Sequence, residues 1–267
     1  MAIWVVLVRY EGIFHILDLF NLLMNNLDYA FARFFHLGSL SFLFQKRLCH
    51  LILGRIAAGL IPGENLIVAF CWRHSGDPHP EEWEDIAAAA PARQQEFVAG
   101  RLLARALGET LGLPPAPLRR AEDRSPVWPS DRTGSLSHCD TLCAAAVGKR
   151  SAIQSVGVDV ETIGRVEPKL WPTLFTEREA DYLSSLTPEA IAFEATLFFS
   201  AKESFYKCQY PLTQEWVGFQ DVEVARTNEA LLTVAPTNGA AQAWHAAPIH
   251  TVEMSESHVA TVMLLPA

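Results

Sequence analysis

Apolar positions change character along this chain. Through the first sixty or so residues they come in dense clusters such as Ile13-Phe14-His15-Ile16-Leu17 and Phe42-Leu43-Phe44, interrupted by Asp18, Asp28, Arg33, Lys46, Arg47 and Arg55. From Leu66 the clusters give way to short runs and helical repeats. Leu66 to Trp72, rich in Val, Ile and Phe, predicts a strand. Ser75-Gly76-Asp77-Pro78-His79-Pro80 predicts a loop. Pro91 opens a helix to about Leu111, with Phe97, Gly100, Ala104, Leu107 and Leu111 on one face and Gly112 ending it. Pro114, Pro115 and Pro117 mark its exit. Ala121 to Thr133 reads as a loop, and Ser135–His138, Leu142–Val147 and Ser155–Val160 as strands.

The plan then repeats loosely. Thr176 is an N-cap for a short helix to Ser184, with Glu177 and Glu179 in its first turn. Pro188 opens a longer helix to about Tyr206. Val222–Val224, Leu231–Val234, His250–Met254 and Val259–Leu265 are strand-like. No low-complexity linker and no clear internal sequence repeat interrupts this order. The expected organisation is a hydrophobic extension over residues 1–60 and two closely packed halves, 61–154 and 155–267.

The extension has no uncharged stretch of the ~20 apolar residues that a spanning helix needs. Met1-Ala2-Ile3-Trp4 lacks a basic region, and no clear small-residue cleavage site follows, which argues against a signal peptide. Extra helices packed on the domain, a membrane-surface segment and a start assigned too far upstream all fit. The last is the expectation, because the rest reads as complete without it.

Half of the residues are hydrophobic, enough for a sizeable core, and the net charge of -9 argues against general nucleic-acid binding. The cysteines are five and widely spaced; Cys139 and Cys143 have no matching second pair, so a zinc site is not expected. A reducing, cytoplasmic compartment follows.

Two short segments carry the chemistry. In Gly157-Val158-Asp159-Val160-Glu161, strand alternation puts both carboxylates on one face. Such a pair repels itself unless a cation intervenes, and magnesium prefers hard oxygen ligands while leaving positions for phosphate. In Phe199-Ser200-Ala201-Lys202-Glu203-Ser204-Phe205-Tyr206-Lys207, Glu203 and Lys207 stand one helical turn apart. Taken singly, each pair reads equally well as an ordinary surface feature. Ser137-His138 offers two phosphate donors, or a satisfied histidine at a strand start. A Ser/His/Asp hydrolase is a poor alternative, because no Gly-x-Ser-x-Gly elbow is present. Arg93, Arg101 and Arg105 lie on the first helix as an anion-binding or a solvated face, and Arg124 precedes the Pro126/Trp128/Pro129 loop.

The two segments, in this order, resemble the signature pair of the 4′-phosphopantetheinyl transferases. Ala99-Gly100-Arg101, Arg124-x-Pro126-x-Trp128-Pro129, Gly134-Ser135-Leu136-Ser137-His138-Cys139 and Tyr210-Pro211-Leu212-Thr213 resemble the siderophore-synthesis, enterobactin-type branch. The resemblance covers roughly residues 66 to 265. It implies an α+β monomer of two similar packed halves with the active site in the cleft between them. It further implies magnesium-dependent transfer of the phosphopantetheine arm of coenzyme A to a serine of an apo acyl, peptidyl or aryl carrier domain, with release of adenosine 3′,5′-bisphosphate. The implied metal ligands are Asp159, Glu161 and Glu203. Lys207 and His138 would contact phosphate, and Glu203 would take the serine proton directly or through a metal-bound water. Coenzyme A contacts would fall on Arg93, Arg101, Arg124, Ser137, His138, Lys202 and Lys207. The rival readings are a magnesium-dependent nucleotide phosphohydrolase and a non-catalytic coenzyme A-binding or membrane-associated protein.

Overall fold

The computed structural model describes residues 65–72, 76–228, 231–237, 244, 247–255 and 257–267. The expectations for residues 1–60 fall outside them. In chain order the first part contains β1 (Leu66–Trp72), α1 (Pro80–Glu84), α2 (Pro91–Thr110), β2 (Arg119–Arg120), β3 (Pro126–Val127), β4 (Arg132–His138) and β5 (Leu142–Lys149). The second contains β6 (Ile153–Thr162), a 3-10 turn at Pro168–Leu170, α3 (Trp171–Leu174), α4 (Glu177–Ser184) and α5 (Pro188–Thr213). A second 3-10 turn at Phe219–Asp221, β7 (Val222–Asn228), β8 (Leu231–Pro236), β9 (Ala247–Ser255) and β10 (His258–Pro266) complete it.

β1, β5 and β4 form an antiparallel sheet in the order β1-β5-β4, and the second part forms one in the order β6-β10-β9-β8-β7. Strand alternation sorts the core. Ile67, Ala69, Ala145 and Val147 face α2, where they meet Ala99, Leu103, Ala104 and Leu107. Leu66, Val68, Phe70, Ala144 and Ala146 face the other way, onto Val156, Val158 and Val160 of β6 and Ala260 and Val262 of β10. On its far side the second sheet receives Leu197, Phe198, Ala201 and Phe205 of α5 against Val259 and Met263. The layers therefore run helix, sheet, sheet, helix, and the expected α+β pair of halves shares a core between its two sheets.

β6 is an edge strand, and its outward N–H groups need partners. Serines of β4 supply them: Val158 N–H donates to Ser135 Oγ at 3.0 Å and Val160 N–H to Ser137 Oγ at 3.4 Å. This seam fixes the two halves against each other beside Asp159.

Three local expectations change. α5 runs past Tyr206 and through Pro211 to Thr213, ending at Gln214 in the left-handed region with φ 56°. A proline inside a helix costs about 3 kcal/mol, but Phe205, Cys208 and Gln209 are buried and hold the helix on the sheet. The expected loop of Ala121 to Thr133 contains β3, which pairs with β2 just before it, Arg119 opposite Val127. α1, absent from the sequence expectation, is a short capped helix beginning at Pro80.

α1 and α4 reveal a repeat that the sequence does not announce. Each opens with a capping box whose glutamate, Glu82 or Glu179, is buried. Glu82 accepts from His79 N–H at 3.0 Å, from Leu118 N–H at 2.8 Å and from Arg105 of α2. Glu179 accepts from Thr176 N–H at 2.7 Å, Val224 N–H at 2.7 Å and Lys202 Nζ of α5 at 2.6 Å. In both halves the cation follows the glutamate by 23 residues. Pro91 and Pro188 open the two long helices at the same distance from it.

Candidate active site

The geometry starts at Gly157. A Cβ there would stand 1.9 Å from the Ser204 carbonyl oxygen, so only glycine lets α5 lie this close to β6. Hydroxyls then fasten the helix: Ser155 Oγ donates to the Cys208 carbonyl at 2.6 Å and Ser204 Oγ to the Thr261 carbonyl at 3.0 Å. The contact fixes Glu203 and Lys207 of α5 beside the carboxylates of β6.

Asp159 is buried, with 1% exposure. Its Oδ1 accepts from Lys207 Nζ at 2.6 Å and from Ser137 Oγ at 2.7 Å. Lys207 Nζ also donates to Ser137 Oγ at 3.1 Å and lies 3.8 Å from Glu203 Oε2. Asp159 Oδ2 is buried and has no hydrogen-bond partner in the structure. Burial, then the neighbouring Asp159 charge, pushes the Glu161 carboxyl up to about 7, with Glu203 adding to the effect. Glu203 is likewise raised, by burial and by Asp159, with Lys207 opposing. For Lys207 burial disfavours the charge, but Asp159, Glu203 and Glu161 outweigh it and raise its pKa. One ammonium thus serves a group of three carboxylates.

Alternation on β4 sends Ser137 and His138 to opposite faces. Ser137 meets Asp159, whereas His138 Nε2 lies 2.7 Å from the Arg93 guanidinium of α2. Arginine can only donate, so Nε2 accepts in this arrangement and the imidazole proton sits on Nδ1. Glu96 Oε2 accepts from Arg93 at 3.0 Å and stands 3.7 Å from His138 Nε2. His138 and Glu161 border one cleft of about 530 Å³. Glu96, Cys139 and Asp140 line it from the first half, and Arg165, Val166, Leu170, Thr173, Leu174 and Phe199 from the second. Two of these lining residues pair between the halves, Arg165 donating to Asp140 at 2.8 Å.

The structure thus gathers Ser137, Asp159, Glu203 and Lys207, with Glu161 leading to His138 and Arg93 across the cleft. It does not bring Arg101, Lys202 or Arg124 there. Arg101 is buried, donates to the Leu118 carbonyl at 2.7 Å and sits over the Phe97 ring at 3.2 Å from its centroid. Its burial lowers its pKa to about 10. Lys202 is buried against Glu179 and also donates to the carbonyls of Leu174 at 3.0 Å and Phe219 at 2.6 Å. Arg124 is exposed between β2 and β3, with φ 71°, and is not among the residues lining the cleft. Sequence reasoning missed Glu96, whose only signal was its place one turn after Arg93. It also missed the apolar wall from Val166 to Leu174, which depends on the path of a connection with no repeating pattern.

Comparison with known proteins points to one family across both halves. A family model for the 4′-phosphopantetheinyl transferase N-terminal domain matches residues 81–148, and one for the 4′-phosphopantetheinyl transferase superfamily matches residues 155–263. The chain is 36% identical over 147 residues to the 4′-phosphopantetheinyl transferase PptT of Mycobacterium tuberculosis, covering 55% of this chain and 64% of that protein. It is 34% identical over 146 residues to the 4′-phosphopantetheinyl transferase Npt of Nocardia iowensis, covering 55% and 65%. Against enterobactin synthase component D of Escherichia coli it is 31% identical over 163 residues, covering 60% and 74%. The match to PptT and Npt thus spans slightly less than two thirds of their length.

Proposed function

Because the chain belongs to the 4′-phosphopantetheinyl transferase superfamily, we propose that it transfers the phosphopantetheine arm of coenzyme A to a serine of an apo carrier domain. The observation that carries this reading is the group of Asp159, Glu161, Glu203 and Lys207, of which Glu161 lines a cleft between the halves.

The donor set fits magnesium. Among the described residues no three His, Cys, Asp or Glu side chains are arranged to hold a metal ion as they stand, and the Lys207 ammonium lies beside Asp159 and Glu203. Yet Asp159 Oδ2 is a buried oxygen without a partner, and Glu161 and Glu203 are held above the usual carboxylate range by their surroundings. Three hard oxygen donors short of positive charge suit Mg²⁺. Asp159, Glu161 and Glu203 would hold it, and it would neutralise the pyrophosphate and the charge that develops as the phosphoanhydride breaks.

The remaining roles belong to the chain's own groups. The carrier serine oxygen forms a bond to the phosphorus next to pantetheine, and the bond from that phosphorus to adenosine 3′,5′-bisphosphate breaks. Glu203 accepts the serine proton as general base. Lys207 and His138 face the pyrophosphate from opposite halves as a preorganised clamp, with Arg93 beside His138. The cleft's apolar wall of Val166, Leu170, Leu174 and Phe199 supports a reading in which it shelters the pantetheine arm. Arg124 remains a coenzyme A contact on the resemblance alone, and the siderophore-type branch rests on the enterobactin synthase relatives.

The proposal places the enzyme in the cytoplasm as a monomer. The buried thiol of Cys208, in no disulfide, agrees with a reducing compartment. Among the described residues no helix is long and apolar enough to cross a membrane.

The test incubates the full chain with coenzyme A, Mg²⁺ and several apo carrier domains, followed by intact-mass spectrometry of the carriers. A phosphopantetheine increment on at least one carrier is expected, and Glu203→Gln should abolish it while the protein stays folded. Unmodified carriers, alongside a control transferase that loads them, would sink the reading. Release of phosphopantetheine without any carrier would assign a phosphohydrolase instead.

A further inference from the structure

We propose that Ser137 is a positioning residue for Asp159 and Lys207 rather than a contact to the phosphates of coenzyme A; the inference rests on the metal assignment above. A serine hydroxyl has one proton to donate and two lone pairs to accept with. Here all three are engaged. The proton goes to Asp159 Oδ1 at 2.7 Å, and the lone pairs accept from Lys207 Nζ at 3.1 Å and from Val160 N–H at 3.4 Å. The side chain is buried, and nothing remains for an incoming phosphate to bind.

The consequence lies at Asp159. Its Oδ1 is engaged by Ser137 and Lys207, and Oδ2 is left as the buried oxygen without a protein partner. Ser137 therefore selects which oxygen of the carboxylate is free and holds the carboxylate plane. It does so from β4, whereas Asp159 and Lys207 belong to the second half. Ser135, two residues earlier on the same face, accepts the corresponding bond from Val158 N–H at 3.0 Å but meets no carboxylate among the described residues. The seam between the sheets is thus built twice, and only its second step reaches the site. Without the Ser137 hydroxyl, Asp159 Oδ1 keeps Lys207 alone, and the carboxylate can turn to chelate the ammonium with both oxygens. A metal ion would then have to compete with Lys207.

The experiment uses the full chain and its Ser137→Ala and Ser137→Thr variants. Mg²⁺ alone is titrated calorimetrically, kcat and the KM for coenzyme A are measured with a carrier, and thermal unfolding is recorded. Ser137→Ala is expected to weaken Mg²⁺ binding about tenfold, equivalent to about 1.4 kcal/mol. Its kcat should fall while the KM for coenzyme A stays within about twofold, the pattern of a group acting after substrate binding. Ser137→Thr, which keeps the hydroxyl, should recover both. Unchanged Mg²⁺ affinity in Ser137→Ala, or a raised KM for coenzyme A with Mg²⁺ binding intact, would overturn the inference and return the hydroxyl to the phosphates. So would a Ser137→Thr variant that unfolds like the wild type but recovers neither property, or a wild-type protein that binds no Mg²⁺. The two proposals fail separately: weakened Mg²⁺ binding in Ser137→Ala with no carrier modified retires only the transferase reading. Modified carriers with Mg²⁺ affinity unchanged retire only the positioning role.

Discussion

Lys202 donates to Glu179 at 2.6 Å with each side chain 1% exposed, and the same relationship joins Arg105 to the buried Glu82 in the other half. Each cation neutralises a glutamate that caps a short helix and binds the backbone of the following segment. Removing one partner of a buried pair leaves an unpaired charge, a loss of about 3–5 kcal/mol. Lys202→Met and Arg105→Met should therefore lower the unfolding midpoint in urea by similar free energies. Lys202→Met that instead keeps full stability and raises the KM for coenzyme A would make Lys202 a ligand contact after all.

Gly157 offers a second test of what holds the site. Alanine there places a methyl group against the Ser204 carbonyl, which is backbone and cannot rotate aside. Either α5 lifts from β6 or the strand shifts, and overpacking of this kind costs about 1–3 kcal/mol, occasionally more. We expect Gly157→Ala to sit at the upper end, with lost transferase activity because Glu203 and Lys207 move with the helix. Thermal unfolding together with the carrier assay decides it; a stable, active variant would show that the close approach is dispensable.

Two arginines of α2 should separate cleanly. Arg93 is half exposed and touches His138 at the cleft, whereas Arg101 is buried on the Leu118 carbonyl and the Phe97 ring. Arg93→Ala should raise the KM for coenzyme A by about tenfold, the loss of roughly one charge-assisted hydrogen bond, with little change in stability. Arg101→Met should do the reverse, lowering stability by about 1–3 kcal/mol through the unsatisfied carbonyl with KM nearly constant. Steady-state kinetics beside denaturation curves of both variants provide the check.

The carboxylates make stability depend on pH. Glu161 is raised from 4.5 to about 7 in the fold, so the folded state binds its proton more tightly than the unfolded chain does. Its contribution is fully present below 4.5 and is lost as pH rises through about 7. Above that point the charged acids repel one another, and a divalent cation relieves them. Mg²⁺ should thus raise the melting temperature more at pH 8 than at pH 6. Equal shifts at the two pH values, measured by differential scanning fluorimetry, would contradict the assignment of Glu161 to the metal.

Local pattern by itself determined much of this protein. The period-two alternation of Gly157 to Glu161 put two carboxylates on one strand face, and the helical spacing of Glu203 and Lys207 put acid and base one turn apart. These are consequences of backbone geometry over a few residues, so they survive without a fold. Tertiary structure decided the partnerships. Lys207 takes Asp159 at 2.6 Å in preference to its helical neighbour Glu203 at 3.8 Å, because Gly157 lets the helix settle onto the strand. The repeat of Glu82–Arg105 as Glu179–Lys202 was written in the chain at equal spacing, but arginine and lysine, histidine and threonine caps, and dissimilar neighbours hid it. Only burial showed that these residues hold matching places. Likewise Ser137 and His138 are adjacent in sequence, and the pleat sends them to different halves of the site, one to Asp159 and one to Arg93. Which side chain meets solvent, ligand or a buried partner is set by contacts between segments far apart in the chain, and no local periodicity encodes those.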